Sequence, residues 1–153
     1  VTDDWFDALA GLIEAGARFM VVGAHALAVH GVPRATQDLD VWVDATPGNA
    51  DRVWNAFAAF GAPLEALGIT HADFHRPGVV VQIGLPPNRI DVLTGISGVP
   101  SFDDAWATRV MVPVRGREVP FLGRDALLAN KLAAGRRKDL ADVEALGALP
   151  PQA

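Results

Sequence analysis

Apolar and polar positions fall into two rhythms along this chain, one helical and one of period two. Trp5, Leu9, Leu12 and Ile13 recur at helical spacing, acids crowd the first turn and Gly16 supplies a stop, so the opening predicts a helix. Phe19 to Val22 is a short apolar run that predicts a buried strand. Gly23 ends it, and Ala24 to His30 predicts a short helix closed by Gly31 and Pro33. In the stretch that follows, Leu39, Val41 and Val43 alternate with Asp38, Asp40, Trp42 and Asp44, the period of a half-buried strand. Thr46 then reads as an N-cap with Pro47 at the first helical position. Val53, Trp54, Phe57 and Phe60 line one face of that helix, and Gly61 ends it.

Between Pro63 and Gly78 the pattern predicts a short helix and a loop. Val79 to Ile83 and Arg89 to Leu93 predict two strands joined by a turn around Pro86, Pro87 and Asn88. Val110 to Val114 and Glu118 to Leu122 flank Arg115-Gly116-Arg117 and predict a hairpin. Two closing helices, Asp125 to Ala134 and about Asp139 to Leu146, are separated by Gly135. There is no internal repeat, low-complexity tract or clear linker. The expectation is a single domain over residues 1–153, with a core over about 18–123 and a helical tail over about 124–149. Its interior should include Phe19, Val21, Leu39, Val41, Val43, Val53, Phe57, Ile90 and Val92.

Composition narrows the setting. Half of the 153 residues are apolar and a fifth are charged, ordinary for a soluble globular domain. No apolar stretch approaches the roughly 20 residues that span a membrane. Asp3, Asp4 and Asp7 stand where a signal peptide would carry basic residues. The absence of cysteine excludes disulfides and thiolate metal sites and fits a cytoplasmic location. A net charge of −5 argues against broad polyanion binding. Basic residues gather at Arg115/Arg117 and at Lys131/Arg136/Arg137/Lys138, which predicts a small basic mouth suited to a triphosphate or one end of an RNA.

The chemistry lies in the acids. Asp38 and Asp40 are two apart on a strand, so they share a face while Leu39 points into the core. Asp91 follows the same logic, with Ile90 and Val92 facing inward. If the two strands are neighbours, three carboxylates converge, and a pair of Mg²⁺ ions would cancel their repulsion and orient a triphosphate. His71 and His75 are four apart, but Asp73 and Pro77 place them in a loop with no further ligand at a matching interval, which argues against zinc.

FMVVGAHALAVHGVPRATQDLDVWVD, with its strand, glycine turn, short helix and Asp-x-Asp, resembles the signature of the nucleotidyltransferase superfamily. It is most similar to the small bacterial branch that includes abortive-infection-type toxins and the lincosamide and aminoglycoside nucleotidyltransferases. NRIDVLTG resembles the strand carrying the third acid, and NKLAAGRRKDLADVEAL the helical tail. The resemblance implies an α/β (α+β) fold, a small mixed sheet with helices on one face, acids on the other and a C-terminal helical tail. It assigns Asp38, Asp40 and Asp91 as metal-binding and catalytic residues, Asp91 helping to activate the acceptor hydroxyl.

Gly23 matches the phosphate-turn glycine, and Ala24 occupies the next position, usually Gly or Ser. His25 stands beside that turn, placed to touch nucleotide or to cap a half-buried helix. Arg34 and Thr36 lie in the loop before the acidic strand, placed for a phosphate contact or for the loop's own turn. Lys131 occupies a tail position that in relatives often faces the triphosphate, although a solvated helix lysine explains it as well. Lys138 and Asp142, at i,i+4, suggest a helix-surface pair.

The implied activity is Mg²⁺-dependent transfer of a nucleoside monophosphate from an NTP to a hydroxyl on an RNA end, a protein side chain or a small molecule. A toxin role with a cognate antitoxin fits the same branch. The alternative is a noncatalytic relative that binds a nucleotide or a partner protein.

Overall fold

The computed structural model describes residues 1–147, and positions 148 and 149 of the expected tail lie outside the described residues. Helix α1 (Asp3–Glu14) begins where the Thr2 hydroxyl accepts from the Trp5 backbone N–H at 3.2 Å, with Asp3 and Asp4 facing the positive end of the helix. It buries Trp5, Ala8, Leu9 and Leu12. Strand β1 (Phe19–Val22) is buried along its whole length, and α2 (Gly23–Val29) starts directly from its end. Strand β2 (Asp38–Val43) keeps the alternation read from the sequence as far as Val41, beyond which Trp42 is buried too, and α3 (Pro47–Phe60) is capped by Thr46 and closed by Gly61 at φ +98.

The region expected to hold a short helix and loop contains one 3-10 turn, His71–Phe74. Strands β3 (Val80–Ile83) and β4 (Arg89–Leu93) follow, then α4 (Phe102–Ala107), the hairpin β5 (Val110–Val114) and β6 (Arg117–Phe121), and the tail helices α5 (Arg124–Ala134) and α6 (Arg137–Gly147).

The six strands form one mixed sheet in the order β3-β4-β2-β1-β6-β5. β2 runs antiparallel to β1 and parallel to β4, so the two strands that carry acids are neighbours. α1 and α3 pack together, and the 3-10 turn packs on α3. Every expected interior residue, from Phe19 to Val92, is buried in a single apolar cluster.

Helix α4 has no counterpart in the sequence reading. Its Phe102 meets Trp42 edge to face at 5.0 Å, and the Arg18 guanidinium lies over Phe102 and Trp106 while pairing with Asp44 and Asp103 at 2.8 Å. Trp42 shares its sheet face with Asp40. It is buried there against α4.

Candidate active site

Register builds the site. In the parallel β2–β4 pair, Asp38 lies opposite Arg89 and Asp40 opposite Asp91. Leu39 and Ile90 are locked into the core, which fixes the alternate residues on the other face. Asp38, Asp40 and Asp91 each offer a carboxylate oxygen within 4.8 Å of the other two. The acids expected to converge do so.

Their electrostatics follow from crowding. Burial, then the charges of Asp38 and Asp91, push the Asp40 carboxyl up from 3.8 to about 7, helped by a hydrogen bond in which it gives a proton to Asp91. Burial also raises Asp91, against the pull of Arg89. Crowding and burial thus favour the neutral form of both Asp40 and Asp91.

Among the described residues, Arg89 is the cation that partly relieves this crowding. One of its terminal nitrogens donates to Asp38 Oδ2 at 2.7 Å and reaches Asp91 Oδ2 at 3.4 Å. Its Nε sits 3.1 Å from Asp91 Oδ1, close enough for charge attraction but misaligned, so neither atom is hydrogen-bonded there. Sequence reasoning missed this residue, although the alternation that places Asp91 on the acid face places Arg89 there too.

Gly23 stands against the trio. Its φ is +68, and a Cβ built on it would run into the Asp40 carboxylate oxygen and lie 3.1 Å from Asp40 Cγ. Only glycine meets both demands. The Thr36 hydroxyl braces Asp38, accepting from its backbone N–H at 3.2 Å and standing 2.9 Å from its carbonyl oxygen and 3.0 Å from Oδ1.

Of the other expected contacts, Ala24 and His25 stand at the Gly23 turn, while Arg34 and Lys131 are engaged by acids. Ala24 offers no side-chain donor. His25 packs edge-on against Trp5 at 5.0 Å, and burial lowers its pKa. Arg34 donates to Asp142 Oδ1 through Nε at 3.1 Å and through a terminal nitrogen at 2.8 Å. Lys131 is buried between Asp142, at 3.1 Å, and Asp139, at 3.4 Å, and Asp139 also holds Arg136. Asp142 is thus taken by Arg34 and Lys131 rather than by Lys138.

The expected basic mouth is largely neutralised, since Arg115 and Arg117 pair with Asp3 and Glu14. His71 stacks on Trp54 and bonds Asp51. Among the described residues, the three aspartates form the one cluster suited to a metal. An all-carboxylate donor set of high negative charge fits Mg²⁺, a hard cation that prefers oxygen.

No protein-family model matches the chain, and no curated protein matches it in sequence. Solved structures do. TM1012 of Thermotoga maritima, provisionally named a nucleotidyltransferase, superposes with a TM-score of 0.59 at 14% identity over 95% of this chain and 93% of its own. The lincosamide antibiotic adenylyltransferase LnuA, with lincomycin bound, gives 0.56 at 13% identity over 98% of this chain and 99% of its own. The antibiotic-resistance factor ANT(2'')-Ia gives 0.56 at 13% identity over 95% and 81%. Identities this low speak to architecture, and the superpositions show it: the chain has the nucleotidyltransferase fold.

Proposed function

We propose that this protein transfers a nucleoside monophosphate from a nucleoside triphosphate to a hydroxyl of a small molecule, in a reaction that depends on divalent metal. The observation that carries the proposal is the meeting of Asp38, Asp40 and Asp91, with oxygens within 4.8 Å, beside a glycine whose bare backbone makes room for them. Asp38, Asp40 and Asp91 would hold one or two Mg²⁺ ions, which neutralise phosphate charge and lower the pKa of an attacking hydroxyl.

The chain's own groups supply the rest. Asp91, raised by burial, accepts the hydroxyl proton as the acceptor oxygen bonds to the α-phosphorus. The bond from that phosphorus to the α,β-bridging oxygen breaks, and pyrophosphate leaves with the bonding pair. The first N–H groups of α2, at Ala24 and His25, have no partner within the helix. With alanine at position 24, contact there falls to backbone N–H rather than to a hydroxyl.

A small-molecule acceptor is favoured by two facts. LnuA, whose solved chain is matched over 99% of its length, is named with an antibiotic bound. The net charge of −5, with Arg34, Arg115, Arg117 and Lys131 all engaged by acids, leaves little basic surface for RNA.

The test is incubation with each α-labelled NTP and Mg²⁺, offering a metabolite extract, total RNA and protein as separate acceptor pools. Label should enter the small-molecule pool and disappear in Asp38→Asn and Asp40→Asn. Full transfer by either variant defeats the proposal. Metal-dependent nucleotide binding with no transfer to any pool would establish the noncatalytic alternative that Ala24 suggests.

A further inference from the structure

The row of acids carries its own counter-ion. Arg89 is directly opposite Asp38 in the strand register and on the same strand face as Asp91, so its guanidinium falls among the carboxylates. Both oxygens of Asp38 are already engaged, Oδ1 by the Thr36 hydroxyl at 3.0 Å and Oδ2 by Arg89 at 2.7 Å. Asp91 faces Arg89 through both of its oxygens, while Asp40 meets no cation within ion-pair distance among the described residues. We infer that Arg89 is a resident counter-cation that competes with divalent metal for Asp38 and Asp91, and that it passes to the nucleotide's phosphates when metal takes its place. This rests on the metal-site reading above and adds to it a residue that sets metal affinity and couples it to nucleotide.

The argument is electrostatic and geometric. A guanidinium and a dication cannot both sit within a cluster this tight without strong repulsion. The carboxylates are held by the sheet, so Arg89 is the group that moves. Its side chain is 29% exposed, which leaves an outward path for a long, flexible stem. Once free, its planar fork suits two phosphate oxygens. Arg34 and Lys131, the cations that sequence pattern offers to phosphate, are tied to Asp142 and Asp139. Arg89 is the cation that metal binding itself would release, at the place where the triphosphate must lie.

The signature is a pair of opposite effects that a merely structural arginine would not produce. Mn²⁺ alone is titrated by electron paramagnetic resonance into wild type, Arg89→Met and Arg89→Gln. A non-hydrolysable ATP analogue is then titrated at saturating Mn²⁺, with circular dichroism confirming that each variant is folded. Both neutral variants should bind Mn²⁺ about tenfold tighter or more and the analogue about tenfold weaker. Arg89→Lys, which keeps the charge, should stay near wild type for Mn²⁺.

Mn²⁺ affinity unchanged or weakened in both neutral variants overturns the competition. Unchanged analogue affinity overturns the transfer of Arg89 to phosphate. Both results leave the metal site standing. If instead wild type binds Mn²⁺ no better than Asp40→Asn does, the metal-site reading fails and takes this inference with it.

Discussion

Asp40→Asn should make the protein more stable while removing its activity, and the gain should depend on pH. In the folded state the Asp40 carboxyl is raised from 3.8 to about 7, first by burial and then by Asp38 and Asp91. A carboxyl raised by folding favours the folded state only while protonated. That advantage is fully present below about pH 4 and is lost as pH climbs through about 7. A rise of this size corresponds to ~4 kcal/mol against folding when the group is ionised. Relaxation and solvent entry reduce this, so ~2–4 kcal/mol is the working range.

Asparagine keeps the shape and carries no charge, so at pH 8 in EDTA the variant should melt roughly 4–16 °C above wild type. At pH 4 the two should melt together. Adding Mg²⁺ should raise the melting temperature of wild type and leave the variant unmoved. Calorimetry or near-ultraviolet melting across pH 4 to 8 reads all of this. A variant that is less stable at pH 8, or whose difference from wild type does not change with pH, would refute the picture of an Asp40 carboxylate crowded by two acids with no cation of its own.

Other consequences can be checked separately. Gly23→Ala forces a side chain to φ +68 and into the Asp40 carboxylate, so transfer should be lost with ~2–4 kcal/mol of stability, read by urea unfolding alongside the label assay. Asp142→Ala releases Arg34 and leaves buried Lys131 with Asp139 alone. We expect ~3 kcal/mol of destabilisation and faster hydrogen exchange through residues 31–37, whereas protection unchanged there would show that the tail does not hold that loop. Gly98→Ala, at φ +75, would bring a Cβ to 2.5 Å from the Ala129 carbonyl oxygen and 2.6 Å from Ala133 Cβ. It should cost ~2–4 kcal/mol by prising the loop off α5, and a wild-type midpoint in urea would contradict that packing.

What the sequence revealed and what it hid divide along physical lines. Strands β1, β2 and β4 were legible because their side chains must alternate or fill a core, a rule that acts between near neighbours. The same rule put Asp38, Asp40 and Asp91 outside the core. That β4 lies beside β2, so that the acids meet, came only with the family resemblance, since strand order depends on the whole chain.

Helix α4 was hidden because six residues carry no readable period, and it is held by remote partners: Trp42 against Phe102, and Arg18 over Phe102 and Trp106. Spacing also misdirected. Lys138 and Asp142 sit at helical interval, yet Asp142 is claimed by Arg34, far along the chain, and by Lys131. Arg89 obeys the same alternation as Asp91, but its pairing with Asp38 depends on the β2–β4 register, which no local pattern reports.

The most direct trial is crystallographic. Crystals grown with Mn²⁺ and a non-hydrolysable NTP analogue would be measured for anomalous scattering. The strongest peak should lie about 2.1 Å from oxygens of Asp38 and Asp40 and contact the analogue's phosphates. A saturated crystal whose manganese peaks all lie elsewhere would contradict the metal-centred site from which the proposed activity follows.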